Sequence, residues 1–125
     1  MLAVICAVAC LFSVGAYAAT DTEYEFPFPN TALGSLFYDD IHSRTYATAS
    51  VIPSVNTTAT NYLLCTNKTD YIITTNVLKI TSAGTYPFTF KSGYGGYGNP
   101  CCLAGYPDSS AWPWAAYTAT GSWTY

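Results

Sequence analysis

Polar and apolar residues alternate with a period of two along most of this chain. In Glu23-Tyr24-Glu25-Phe26-Pro27-Phe28, one face carries Tyr24, Phe26 and Phe28 and the other carries the glutamates, the pattern of a half-buried strand. Pro27 and Pro29 withdraw ladder donors, which places this strand at a sheet edge. Glu23 and Glu25 share the wet face and read as solvated edge charges rather than a general acid/base pair. Tyr46–Ile52 sets Ala47, Ala49 and Val51 on one face, small residues suited to a bulky partner. Asn61–Cys65 reads as a further strand, and the β-branched run Asp70–Ile80 as a strand pair or one bent strand. Thr85–Lys91 aligns Tyr86, Phe88 and Phe90 as an aromatic spine, and Cys101–Ala104 is a short strand. Tyr117–Tyr125 sets Thr118, Thr120, Ser122 and Thr124 against Tyr117, Ala119, Trp123 and Tyr125.

Turn-forming segments at Asn30–Ser35, Pro53–Thr60, Thr66–Thr69, Ser82–Gly84 and Pro107–Pro113 separate these runs. Past the N-terminal segment no window combines helical periodicity with caps. The pattern predicts an all-β fold, an antiparallel β-sandwich of jelly-roll or immunoglobulin-like form with seven to eight short strands, in a single domain spanning residues 19–125.

The N-terminus breaks the pattern. Leu2–Val14 is an uninterrupted apolar run, and Ala16 and Ala18 satisfy the small-x-small cleavage rule, so residues 1–18 are expected to be a signal peptide. The run is short for a bilayer span of about 20 residues. A lipoprotein signal ending at Cys10 would leave a still shorter apolar region. The expected product is secreted, extracellular or wall-associated, with no membrane span once the leader is removed.

Composition narrows the chemistry. Charged residues form 9% of the chain and aromatics 17%, with twelve tyrosines, and half of the chain is apolar, so it folds rather than staying disordered. The formal charge is −3, and the four basic residues, Arg44, Lys68, Lys79 and Lys91, give no footprint for nucleic acid. Asp39, Asp40 and His42 could be drawn as a metal cluster. Two carboxylates and one imidazole without a second histidine are weak metal ligands, and the segment reads as a hydrated loop with an Asp–Arg pair. No nucleophile–base pair, metal spacing or phosphate loop appears, so no enzyme activity and no cofactor are expected. The glycines of Gly93-Tyr94-Gly95-Gly96-Tyr97-Gly98 do not stand between a strand and a helix, which excludes a phosphate-binding loop.

Removal of the leader takes Cys6 and Cys10 and leaves Cys65, Cys101 and Cys102. A disulfide from Cys65 to Cys101 or Cys102 is expected, worth roughly 4 kcal/mol by loop-closure entropy before strain is subtracted. Adjacent strand residues face opposite ways, so only one of the vicinal pair can reach Cys65. The leftover thiol would stay single or link two chains as a homodimer. Asn56-Thr57-Thr58 and Asn67-Lys68-Thr69 satisfy the glycosylation rule, of which about one match is expected by chance at this composition.

Tyr94, Tyr97, Tyr106, Trp112 and Trp114 exceed what one small core needs and form the candidate binding surface, set among Gly, Ser and Asn. Its expected partner is an extracellular glycan, wall polymer or protein.

Several short motifs carry a likeness. They are Phe26-x-Phe28 after the leader, Arg44 before an alternating strand, Ile80-Thr81-Ser82-Ala83-Gly84-Thr85-Tyr86, Gly93-Tyr94-Gly95-Gly96-Tyr97, Leu103-x-Gly105 and Gly121-x-Trp123. In these the chain resembles small secreted all-β proteins of unknown function from Gram-positive bacteria (clostridia and bacilli), some of which are similar to lactococcin-type secreted bacteriocins. The resemblance implies export and a β-sandwich, with no activity or site to carry over. Leu78-x-Ile80 followed by Gly84-x-Tyr86-x-Phe88 also looks like the strand E to F corner of immunoglobulin-like domains.

Three functions follow as expectations: a secreted non-catalytic binding or interaction module, a bacteriocin-like toxin, or a self-associating structural extracellular protein. The acidic balance speaks against the toxin, because attraction to anionic bacterial surfaces calls for basic residues.

Overall fold

The computed structural model describes residues 21–30, 36–45, 48–55, 58–66, 72–113 and 115–125. The leader, the asparagines of both glycosylation motifs and Trp114 lie outside the described residues. Eight strands form: Thr22–Phe28 (β1), Phe37–Ser43 (β2), Ser50–Pro53 (β3), Thr60–Cys65 (β4), Leu78–Ile80 (β5), Tyr86–Pro87 (β6), Pro100–Pro107 (β7) and Tyr117–Thr124 (β8). The only helical turn among the described residues is Ser109–Ala111, capped by the Asp108 side chain.

The strands make two four-stranded antiparallel sheets, ordered β1-β8-β3-β6 and β2-β7-β4-β5. Four of the pairings follow one rule: β1 with β8, β2 with β7, β3 with β6, and β4 with β5. That is a long hairpin folded over on itself, and it identifies the jelly-roll form of the sandwich rather than the ABED/CFG order of immunoglobulin-like domains. Every connection except β4–β5 crosses from one sheet to the other. All-antiparallel winding sends alternate connections to opposite ends. The β2–β3, β4–β5 and β6–β7 connections gather at one end with Tyr125, and the β1–β2, β3–β4, β5–β6 and β7–β8 connections at the other.

Alternation explains the core. Tyr24, Phe26 and Phe28 on β1, Ala119 and Trp123 on β8 and Val51 on β3 meet Tyr62, Leu64, Cys101 and Leu103 of the second sheet. Phe26 packs so closely on Gly105 that a Cβ there would lie 2.8 Å from the ring, so the bare glycine sets how near the sheets come. Polar groups tie the sheets as well. The Tyr24 hydroxyl donates to that of Tyr62 at 3.1 Å, the Tyr117 and Thr60 hydroxyls meet at 2.9 Å, and the Trp123 indole N–H donates to Asp39 Oδ2 at 2.6 Å.

Burial pushes the Tyr24 phenol up to about 12 and raises that of Tyr62 further. Both folded values exceed the unfolded value of about 10, so the fold favours the neutral phenols. Their contribution is complete below pH ~10 and is lost as pH rises through the folded values. The urea midpoint is therefore expected to fall between pH 10 and 12, and to fall less steeply in Tyr24→Phe; a midpoint flat across that range would contradict the assignment.

Three segments depart from the sequence pattern. The expected hydrated loop Asp39–Arg44 is mostly strand β2, with a register break between Tyr38 and Ile41, because Asp39 turns to the Trp123 indole and His42 packs between rings. The expected spine Thr85–Lys91 pairs in the first sheet only at Tyr86–Pro87. Beyond it, Phe88 is buried and its N–H donates to Ala49 O at 2.8 Å, while Phe90 bridges to Thr75 as the chain crosses towards the second sheet. Finally, β4 is buried along its whole length. Its outward residues Leu63 and Cys65 join Cys102 and Ala104 in a small second core, covered by Leu36, Tyr38, Ile73 and Tyr106.

The cysteine expectation is corrected. None of Cys65, Cys101 and Cys102 is in a disulfide, and all three are buried. Alternation does split the vicinal pair: Cys101 enters the main core, whereas Cys102 lies opposite Cys65 in the second one. There the thiols turn to backbone carbonyls, Cys102 donating to Asp39 O at 3.0 Å and Cys65 to Cys102 O at 3.6 Å. A homodimer linked through a leftover thiol would require the chain to open. These three thiols are expected to stay unreactive towards a thiol reagent in the native protein and to react on unfolding; stoichiometric labelling of the native state would contradict their burial.

Candidate binding site at one end of the sandwich

The five aromatic residues singled out above do not form one surface. Tyr94 and Tyr97 stand on the β6–β7 connection and Trp112 on the β7–β8 connection, at opposite ends of β7. Eight strand residues separate those ends by roughly 23 Å. Tyr106 is half-buried over the second core and helps to seal it. Trp112 is 47% exposed beside the turn that Asp108 organises through Ser110, Asn61 and Lys79. Those partners hold the Asp108 carboxyl well below the ordinary range, chiefly through Ser110 and then Asn61.

The best-built element lies at the other end, the connection Lys91–Asn99, and Arg44 builds it. This arginine directly follows β2 and is 2% exposed, a rare position for a cation and a costly one unless it is satisfied. Its backbone N–H donates to Asn99 O at 3.0 Å, and its carbonyl accepts from Gly98 N at 2.9 Å. The guanidinium Nη1 donates to Gly95 O, and its carbon sits 3.9 Å over the Phe90 ring. Within the connection, Tyr94 N donates to Lys91 O at 3.1 Å and Asn99 Nδ2 to Tyr94 O at 3.4 Å, while Lys91 N reaches across to Thr74 O at 2.8 Å. Gly93 and Gly98 hold φ of +87° and +76°, backbone that favours glycine. The folding rule of the fold explains the neighbourhood: β2 pairs with β7 and β3 with β6, so the β2–β3 and β6–β7 connections must meet. What emerges from this frame is Tyr97, 71% exposed, with half-buried Tyr94 three residues before it, its backbone hydrogen-bonded into the frame.

Under the same end lies an aromatic plug. His42 stacks on Tyr125 with centroids 4.3 Å apart and meets Trp123 edge-on at 5.5 Å. Its Nε2 is buried without a hydrogen-bond partner. Cys101 stands opposite His42 in the ladder, a pairing that invites a thiol–imidazole dyad. Burial, however, pushes the Cys101 thiol up to about 12, against a smaller opposing effect of Arg44, and keeps it protonated and weakly nucleophilic. No three His, Cys, Asp or Glu side chains among the described residues converge to hold a metal ion.

Sequence reading singled out Tyr97 but missed Arg44, whose only signal was a lone arginine ahead of an alternating strand. Comparison with protein-family models, with curated proteins and with solved structures finds no match to this chain.

Proposed function

We propose that the protein is an extracellular, non-catalytic binding module that engages a glycan, wall polymer or protein through the connection Lys91–Asn99. The observation that carries the reading is the exposure of Tyr97, 71%, on a backbone clamped at Gly95, Gly98 and Asn99 by one buried arginine. An aromatic held out on a pre-ordered loop offers apolar area, a hydroxyl and little entropy to lose on association, the qualities of a binding hot spot. The protonated thiol opposite His42 favours binding over nucleophilic catalysis. The leader-like N-terminus and the likeness to small exported proteins support the extracellular setting.

Retention of the purified protein on immobilised polysaccharides, cell-wall preparations and extracellular proteins tests the reading. Tyr97→Ala is expected to weaken retention at least about tenfold while leaving the melting temperature unchanged, since the ring has few native contacts to lose. Retention equal in the wild type and Tyr97→Ala, or none on any matrix, would refute it.

A further inference from the structure

We propose a second binding site, on the outer face of the first sheet, for an amino sugar: a polyhydroxylated ring bearing a protonated amine. An open groove with a volume of about 470 Å³ runs there, lined by Glu23, Glu25, Ser54, Thr120, Ser122 and the backbone around Gly121. That volume lies within the range of about 300–1,000 Å³ found for small-molecule sites.

The ladder builds this lining. Glu23 stands opposite Ser122 and Glu25 opposite Thr120 across β1 and β8, so each carboxylate faces a hydroxyl. Ser54, just past β3, closes the row: its N–H donates to Thr120 O at 3.0 Å and its hydroxyl meets Thr120 Oγ1 at 2.9 Å. The backbone of Gly121, whose open Cβ position points away from the groove towards Ile52, Pro53 and the Tyr24 hydroxyl, lies between Thr120 and Ser122.

Charge decides the ligand class. Among the described residues, the groove holds two carboxylates and no cationic side chain. None of the described basic residues lines the groove: Arg44 is held in the β6–β7 frame, Lys79 lies 2.9 Å from Asp108, and Lys91 opens the β6–β7 connection. A ligand cation would complement the two carboxylates. The hydroxyls on the facing strand donate and accept equally, which suits ring hydroxyls and leaves a simple alkylammonium unmatched. One ligand that supplies a cation and hydroxyls together is a sugar with a free amine.

A glucosamine oligomer and the N-acetylated oligomer of equal length are the probes, followed by amide shifts in the isotopically labelled protein. The glucosamine oligomer is expected to move the signals of residues 23–25, 54 and 120–122, and its binding to weaken as pH rises and the amine loses its proton. The acetylated oligomer and the variant Glu23→Gln/Glu25→Gln are each expected to bind at least about tenfold more weakly. Both glutamates are exposed and outside the core, and the acetylation contrast on the unmodified protein does not depend on the variant. Equal binding of the two oligomers, shifts confined to other residues, or shifts produced only by calcium would overturn the proposal. Tyr97→Ala is expected to leave this titration unchanged, which separates the groove from the aromatic loop at the end of the sandwich.

Discussion

Trp123→Ala is expected to bring the protein to the edge of unfolding. The side chain is fully buried where β8 runs between β1 and β3, and its rings meet His42 and Tyr125. Truncating a buried tryptophan costs about 3–5 kcal/mol through lost transfer energy and the cavity left behind. The indole N–H also donates to Asp39 Oδ2 at 2.6 Å, a charge-assisted bond between the two sheets. Its loss leaves a half-buried carboxylate short of a donor, a further ~1–3 kcal/mol. Against a total stability of about 5–15 kcal/mol for a native protein, the sum leaves little. Trp123→Phe keeps one six-membered ring and loses the donor with the fused ring, so an intermediate loss of about 2–4 kcal/mol is expected. Urea denaturation followed by far-ultraviolet circular dichroism gives both values. A loss below ~1 kcal/mol in Trp123→Ala would mean that the residue does not occupy the core described.

Gly121→Ala is expected to be nearly as damaging, although it adds only one methyl group. A Cβ at this position would stand 2.3 Å from Ile52 O, 2.8 Å from Pro53 Cα and 2.9 Å from Tyr24 Oη. The first two are backbone atoms of the neighbouring strand and cannot rotate away. To admit the methyl, β8 must part from β3 and strain the ladder that runs from Ser50–Thr124 to Pro53–Gly121. Overpacking of this kind costs about 1–3 kcal/mol and more where backbone must move, so a loss of at least ~3 kcal/mol is expected. Gly93→Ala is the contrast: open space surrounds it, and only its φ of +87° resists the change. Its cost should be about 1 kcal/mol. Equal melting temperatures for the two variants would contradict the close approach at Gly121.

Much of the fold was legible before any coordinates. The alternation in Thr22–Phe28 and Tyr117–Thr124 reports the buried face of two long, regular strands, and both form with the expected residues inward. Where the reading failed, distant partners decided. Asp39 and His42 look like loop residues because they are polar, yet the Trp123 indole of β8 and the Tyr125 ring just past it give each a place in a strand. Thr85–Lys91 has strand periodicity, but the chain leaves its sheet after Pro87 to bridge Thr75. Cys65 and Cys102 share a face and still turn their thiols to carbonyls. At the candidate site, Tyr97 could be named from composition, whereas Arg44 acquires its part only when the β2–β3 and β6–β7 connections meet.

By itself, the sequence of this protein determined what a period of two can encode: strands, their inward faces, the edge character of β1 and an all-β sandwich. The tertiary structure alone decided the jelly-roll winding, the second core over β4 and β7, the reduced thiols, and the division of the aromatic residues between two ends. The physical reason is range. Alternation is a property of neighbours along one strand, whereas winding, double-sided burial and the framing of Tyr97 by Arg44 come from contacts between residues some fifty positions apart, such as Arg44 and Gly95 with |i−j| of 51.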